Sequence, residues 1–186
     1  CPYVNSLRLD GSKTFPGGLA LNIMSGCLVG GVVNSGTALY TRVPVSVYGG
    51  GTLAGGGGAG GGGGTAWYRW DSTSSAVTAY GGNGGAGQGF PTNAAITPVA
   101  ATSGGAGRFE QYSGDMSGGQ TASWAQGGGG GVGGNWGGKG AWGEIGYANK
   151  GSGNSAGSSG GSGEGDLGGL YVDGNSFVTW GALGSR

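Results

Sequence analysis

Residues 67–70 read WYRW, three aromatic rings and a guanidinium in four consecutive positions. Tyr, Trp and Arg dominate binding hot spots because each offers a large contact area at low entropic cost together with a polar handle. Trp67, Tyr68, Arg69 and Trp70 are therefore candidate binding residues. Phe109, Tyr112 and Trp124 extend the set from a second aromatic-bearing segment, RFEQYSGDMSGGQTASWAQ (108–126). Phe90 with Pro91, and Tyr147, mark two further segments of the same kind. The competing reading is that such rings cover a body short of other apolar side chains. Trp136 and Trp142, inside a glycine block, read as cover, whereas Trp67, Tyr68 and Trp70 at the edge of a block are open to both readings.

Catalytic chemistry finds little support. The chain has no His, so a Ser or Cys nucleophile has no imidazole base, and no G-x-S-x-G elbow sits between a strand and a helix. Asp71, Glu110, Asp115 and Glu144 read as solvated loop charges rather than a glycosidase pair. Matches to G-x-G-x-x-G are expected by chance at this glycine content and lack the strand–helix context. No catalytic residue, cofactor or metal ligand is expected, although a carbonyl and carboxylate calcium site near Asp166 or Asp173 stays open. The eight cations, Arg8, Lys13, Arg42, Arg69, Arg108, Lys139, Lys150 and Arg186, are scattered singly and balanced by eight carboxylates. With no basic stripe to displace counterions, no nucleic-acid partner is expected. No run approaches the roughly 18 apolar residues of a membrane helix. Cys1 and Cys27 are too few for a disulfide framework, and one bridge or two idle thiols both fit.

The elements that must position these residues are unusual. Glycine makes up 55 of 186 residues, against a typical share of about 7%. It does not recur at every third position throughout, which excludes a collagen triple helix. High Gly and Ser without a period normally reads as disorder, but 6 Trp, 8 Tyr and 4 Phe with sparse, balanced charge favour a folded chain. No segment has helical apolar spacing, and this much glycine would cost about 1 kcal/mol per residue in a helix. Residues 1–48 alternate apolar with small or polar positions, as in VNSLRLDG, GLALNIMSG and LYTRVPVSVYG, and predict short strands joined by Gly, Asn and Ser turns. ALNIMSGCLVGG (20–31) and VSVYGGGTLAGG (45–56) form a weak repeat, with 24 residues from Leu21 to Val45. GLYVDGNSFVTWGALGSR (169–186) returns to that style, so the two ends are expected to pair or to stack as rungs of a solenoid.

Between them, glycine-rich blocks (49–64, 81–89, 104–107, 127–146 and 157–169) alternate with side-chain-rich segments (65–80, 90–103, 108–126 and 147–156). Polyglycine can adopt the left-handed three-fold conformation of polyproline II, rising about 3.1 Å per residue, so block 49–64 would span about 50 Å. Without Cβ atoms, neighbouring rods approach closely enough for N–H to C=O bonds. Gly127, Gly130, Gly133 and, after one slip, Gly137 hold this three-residue spacing. The expected fold is mostly irregular and β: a bundle, or sandwich, of polyglycine II helices over 49–169, a β-rich base at 1–48, and a C-terminal β segment at 170–186 packing back on it. Leu53, Val132, Trp136, Trp142, Ile145 and Leu167 are the expected apolar cover. If each rod reverses direction, segments 65–80 and 108–126 project from one end, and 90–103 and 147–156 from the other.

Glycine blocks alternating with aromatic variable loops resemble the detachable adhesins at the tips of T-even-type phage long tail fibres, over 49–169. LRLDGSKTFPGGLALNIMSGCLVGG and VSVYGGGTLAGGGGAGGGGG are also similar to stretches leading into glycine-rich terminal domains of other phage fibre and tail-tip proteins. The resemblance implies a polyglycine II sandwich whose loops bind a bacterial outer-membrane protein or surface glycan. It also implies a place at the distal end of a virion's tail fibre or tail tip, and a trimeric fibre stem as partner. Residues 1–48 depart from the adhesin family's helical, Trp-rich attachment region, and the chain starts at Cys1, which favours the terminal domain of a longer chain. Glycine-rich antifreeze proteins resemble the blocks too. Ice binding needs a flat face of small residues, which long aromatic loops do not supply.

Overall fold

The computed structural model describes residues 3–69, 76–92, 97–111, 123–149, 151 and 156–181. Helical content among these is a single 3₁₀ turn, Asn175–Phe177; the rest is short strands and extended backbone. The chain begins as a parallel solenoid. β1 (Tyr3–Asn5), β2 (Leu7–Leu9) and β3 (Ala20–Asn22) make the first rung. β4 (Leu28–Gly30), β5 (Leu39–Thr41) and β6 (Val45–Tyr48) make the second, each pairing in parallel with its counterpart below. β7 (Thr52–Ala54) starts a third rung on β4. The period-two pattern places one side chain in two inside: in β6 Val45 and Val47 are buried while Ser46 and Tyr48 face water. The paired repeats run from Leu21 to Val47 and from Val29 to Leu53. The offset thus changes between strands, because the turn before β7 is shorter than the one before β4.

At Gly55 the chain leaves the solenoid. Six extended segments, 55–64, 81–88, 102–108, 127–135, 138–146 and 160–169, then run alternately away from the base and back towards it. Their backbone bonds fall at every third residue. Gly57, Gly60 and Gly63 donate to the carbonyls of Gln88, Gly85 and Gly82 in the second segment. Gly58, Gly61 and Gly64 donate to Gly138, Ala141 and Glu144 in the fifth, and Gly128, Gly131 and Gly134 of the fourth donate back to Gly64, Gly61 and Gly58. Gly163, Asp166 and Gly169 of the sixth donate to Gly62, Ala59 and Gly56. The third segment bonds to the second (Gly105 N–H to Asn83) and receives bonds from the fourth (Gly130 N–H to Gly105). This connectivity is a two-layer array: third, fourth and fifth segments in one layer, second, first and sixth in the other. A bundle of this kind has no hydrophobic interior; its inside is backbone bonded to backbone.

The sequence reads through this lattice. In the fourth segment an added Cβ at Gly127, Gly130 or Gly133 would sit within 2.1 Å of a carbonyl oxygen of the 80–86 stretch. At Gly128, Gly131 or Gly134 it would meet the fifth segment's carbonyl oxygens at 1.9–2.2 Å. Only positions 129, 132 and 135 point out, and there Val132 and Asn135 stand. The slip at Gly137 is a turn. Gly138 N–H bonds to Asn135 C=O at 2.8 Å, and Gly137 has φ +65, as the third residue of a type II turn requires. Block 127–146 is thus two antiparallel segments, not one rod. Block 49–64 is shortened for another reason. Its residues 52–54 are a solenoid strand whose Leu53 is fully buried in the base core, so the segment proper starts at Gly55.

Because of the turn at 135–138, segment 147–156 emerges at the same end as 65–80 and 108–126, contrary to the expected alternation. Residues 89–92 and 97–101 stay at the base end, where Phe90 is fully buried. Its ring lies 5.9 Å from Trp136 and 6.3 Å from Tyr3. Phe90 and the solenoid link 31–36 exchange bonds across the junction (Val33 N–H to Phe90 C=O, Phe90 N–H to Gly31 C=O), and Asn34 Oδ1 accepts from Gly87 N–H at 3.0 Å. The far end carries β8 (Ala66–Arg69), β9 (Val77–Ala79), β10 (Phe109–Gln111), β11 (Trp124–Gln126), β12 (Tyr147–Asn149) and β13 (Ala156–Ser158). After the sixth segment, β14 (Val172–Asp173) pairs with β5 and β15 (Val178–Trp180) with β6, completing the third rung. One core of Ile23, Val29, Leu39, Val45, Val47, Leu53 and Val172 joins the three faces. Each fully buried Leu or Val there contributes about 1.5–3 kcal/mol.

The expected cover is only partly present. Trp136 packs on Phe90 and Leu53 lies in the base, but Val132, Trp142, Ile145 and Leu167 are 48%, 59%, 45% and 72% exposed. Backbone bonding between the segments, rather than an apolar blanket, holds the array.

Candidate functional site

The tip is a small sandwich that continues the two layers. Strands β10, β11 and β12 are antiparallel and extend the third, fourth and fifth segments. Strands β9, β8 and β13 extend the second, first and sixth. In going from segment to strand the side-chain period changes from three to two, so each strand turns alternate residues inward. Ala66, Ala79 and Ala125 are fully buried and Tyr68 nearly so, with Ala148 packed against them. Small inward residues let the sheets lie close, and Gly157 belongs to this fit: a Cβ there would come within 3.2 Å of Ala148.

Glu110 and Val77, opposite Ala125 and Tyr68, share the inner side, and the residues that alternate with these face outward. In the β10–β11–β12 sheet Phe109 pairs with Gln126, which pairs with Tyr147; Gln111 pairs with Trp124, which pairs with Asn149. Directly opposed residues share a face. The outer face therefore has two rows, Phe109–Gln126–Tyr147 and Gln111–Trp124–Asn149. Phe109 and Tyr147 are 55% and 52% exposed, Trp124 is half-buried, and the Phe109 and Trp124 rings lie 5.9 Å apart at 34°. The opposite face carries Trp67 between Thr78 and Ser158, with Arg69 two residues on. Arg69 Nε is buried and has no hydrogen-bond partner among the described residues.

The sequence-derived set is thus divided. Phe109 and Trp124 stand together on one outer face, and Trp67 and Arg69 on the other. Tyr68 is 3% exposed and belongs to the core of the tip, because the strand that presents Trp67 must turn its neighbour inward. Trp70 and Tyr112 lie outside the described residues. Tyr147, Gln111, Gln126 and Asn149 were missed as site residues. The slip in the glycine spacing at Gly137 was the signal that could have brought Tyr147 to this end. Among the carboxylates, Glu144 Oε2 accepts from Gly129 N–H at 3.2 Å, and Asp173 pairs with Arg42 at 2.9 Å on the base; Asp71 and Asp115 lie outside the described residues. No group of three or more His, Cys, Asp or Glu that could hold a metal ion occurs among the described residues, and no helix among them is long and apolar enough to cross a membrane.

Other concavities stand apart from the tip sheets. A groove of about 610 Å³ at the junction is lined by Trp136, Leu170 and Tyr171. One of about 440 Å³ runs between the second and third segments past Tyr80, Asn83 and Arg108. A third, about 330 Å³, lies under the base beside Phe15 and Arg42.

No family model, curated protein or solved structure matches the chain.

Proposed function

We propose that this chain is a phage receptor-binding adhesin in which six polyglycine II helices hold an aromatic tip away from a β-solenoid base. The observation that carries the reading is the convergence of three separate chain excursions, after segments one, three and five, on the end opposite the base. Binding residues held on a packed scaffold lose little freedom when a partner is engaged. The polyglycine II assignment is supported by the three-residue spacing of bonds between neighbouring segments, since that conformation repeats every three residues and has no bonds of its own. In this reading the tip meets a bacterial outer-membrane protein or surface glycan. The base joins the rest of a tail fibre or tail-tip protein, with a trimeric stem, on the virion.

The test is retention of the purified chain on outer-membrane vesicles from a panel of Gram-negative bacteria. Binding to at least one strain is expected, with loss in Phe109→Ala/Tyr147→Ala, in Trp67→Ala, or in both. Binding that survives both sets of substitutions removes the tip from the site. One observation favours a second reading, ice binding. The positions of the first and second segments that face no neighbouring segment are Ala59, Gly62, Asn83 and Ala86, a stretch of small residues. A thermal hysteresis assay separates the two: the adhesin reading expects none.

A further inference from the structure

We propose that the outer face of β10–β11–β12 is a binding site for an uncharged glycan. This rests on the reading of the tip as the receptor-binding end and names the ligand class of one of its two faces. The register sets six side chains in a checkerboard, with Phe109, Gln126 and Tyr147 in one row and Gln111, Trp124 and Asn149 in the next. Every ring has amides as its row neighbours, and every amide has a ring. Two strand spacings make each row about 10 Å wide, and two residues along a strand separate the rows by about 7 Å. That is a platform for a short run of sugar rings.

The chemistry of the six selects among partners. An aromatic face carries negative charge density and attracts polarised C–H groups, which a pyranose presents on its less substituted side. The hydroxyls around a sugar both donate and accept, and so do Gln and Asn, each with two N–H donors and a carbonyl acceptor. A carboxylate or an ammonium could do only half of this. None of the six is charged; Glu110, between them on β10, is paired with Ala125 and so faces the other side of the sheet, and Glu144 in the fifth segment is engaged with Gly129 N–H. An anionic or cationic ligand would find no counter-charge among these six.

A protein partner is the less suited occupant. Protein interfaces bury a broad contiguous apolar centre ringed by polar residues; here the apolar area is three rings, with Phe109 and Trp124 5.9 Å apart, and amides fill the positions between them. The opposite face differs in kind: among the described residues it carries one ring, Trp67, beside the cation Arg69. The checkerboard is also pre-set, because Ala125 and Ala148 beneath it are packed on the second sheet and β11 and β12 run directly into bonded segments. A ligand would not have to order it.

The test uses the full chain with an array of immobilised neutral and anionic bacterial polysaccharides, and with outer-membrane vesicles treated by proteinase K or by mild periodate. Expected are binding to neutral polysaccharides and vesicle binding that survives protease but not periodate. Gln126→Ala and Tyr147→Ala each weaken neutral-polysaccharide binding by about five- to tenfold without a change in melting temperature. Gln126→Glu, which keeps the shape but removes the donors, does the same. Vesicle binding lost to protease and kept after periodate overturns the glycan and leaves the receptor-binding reading standing. Glycan binding unchanged in all three variants overturns this face as its site. Binding to neutral polysaccharides with no vesicle binding from any strain keeps the inference and removes the adhesin. Absence of both overturns both.

Discussion

Gly60 and Gly62 lie two residues apart in the first segment, the middle one of its layer, and alanine at the two positions should act in opposite directions. A Cβ at Gly60 would stand 2.0 Å from the carbonyl oxygen of Gly131, whereas ordinary contact begins near 3.4 Å. The first and fourth segments must then part by about 1.4 Å. The bond between them at that level, Gly131 N–H to Gly61 C=O, is 2.8 Å long and is flanked by Gly128 to Gly64 and Gly134 to Gly58. Stretching a 2.8 Å bond by that much takes it past any hydrogen-bond distance. Each buried group left unmet costs about 1–3 kcal/mol, so Gly60→Ala should lose about 3–6 kcal/mol. Out of a total stability of roughly 5–15 kcal/mol, and at about 2–4 °C per kcal/mol for a chain of this size, Tm should fall by roughly 10–20 °C. A Cβ at Gly62 meets nothing nearer than the Gly82 carbonyl oxygen at 3.9 Å. There alanine only narrows the unfolded ensemble and should add about 0.4–1 kcal/mol. Differential scanning calorimetry, with urea unfolding as a second measure, reads both variants. If they melt within about 2 °C of each other, the segments are not packed as bonded rods and the reasoning fails.

Three further outcomes follow from the same geometry. Phe90→Ala empties the fully buried junction and should cost about 3–5 kcal/mol, read by urea unfolding; a loss below about 1 kcal/mol would show the junction does not hold base and array together. Gly137→Ala has open space around it but keeps φ +65, so it should cost about 1–2 kcal/mol from backbone alone, and Gly137→Asn less, by thermal melting. Asp10 is held below the ordinary carboxylate range, chiefly by the Ser12 amide. Its contribution is therefore present above that range and is lost as pH falls through it. Asp10→Asn should lower Tm slightly at neutral pH and converge with the parent chain in acid, which flattens the acid limb of a Tm-against-pH curve.

Much of the architecture was legible in the residues. Alternation of the VSVY type marks strands with one buried face, because the strand period is two. The Gly-Gly-x runs at 127–135 mark backbone approach on two sides, because only hydrogen fits where a carbonyl stands about 2 Å from the Cβ position. The break at Asn135–Gly138 was visible as a slip but not as a reversal, since four residues of turn look like any others in a glycine-rich run. Segment 147–156 was consequently sent to the wrong end. Leu53 looked like cover because it lies inside a glycine block; that it opens the third rung depends on β4, more than twenty residues earlier in the chain.

The candidate binding residues show the same division. Composition alone singled out WYRW and the rings at 109 and 124, because large aromatics in a chain this poor in apolar side chains must either bind or be buried. Which of the two each one does is a property of strand register, and register is set by partners distant in sequence. Tyr68 goes inward and Trp67 outward because Ala66 and Ala79 meet Ala125 across the tip. Gln111, Gln126 and Asn149 join the rings in one plane because three strands separated by long excursions align there. The sequence by itself determined that glycine backbones would be the body of this protein and that aromatics would stand at the edges of its glycine blocks. Only the tertiary structure decided where the chain reverses, and so which side chains share a face.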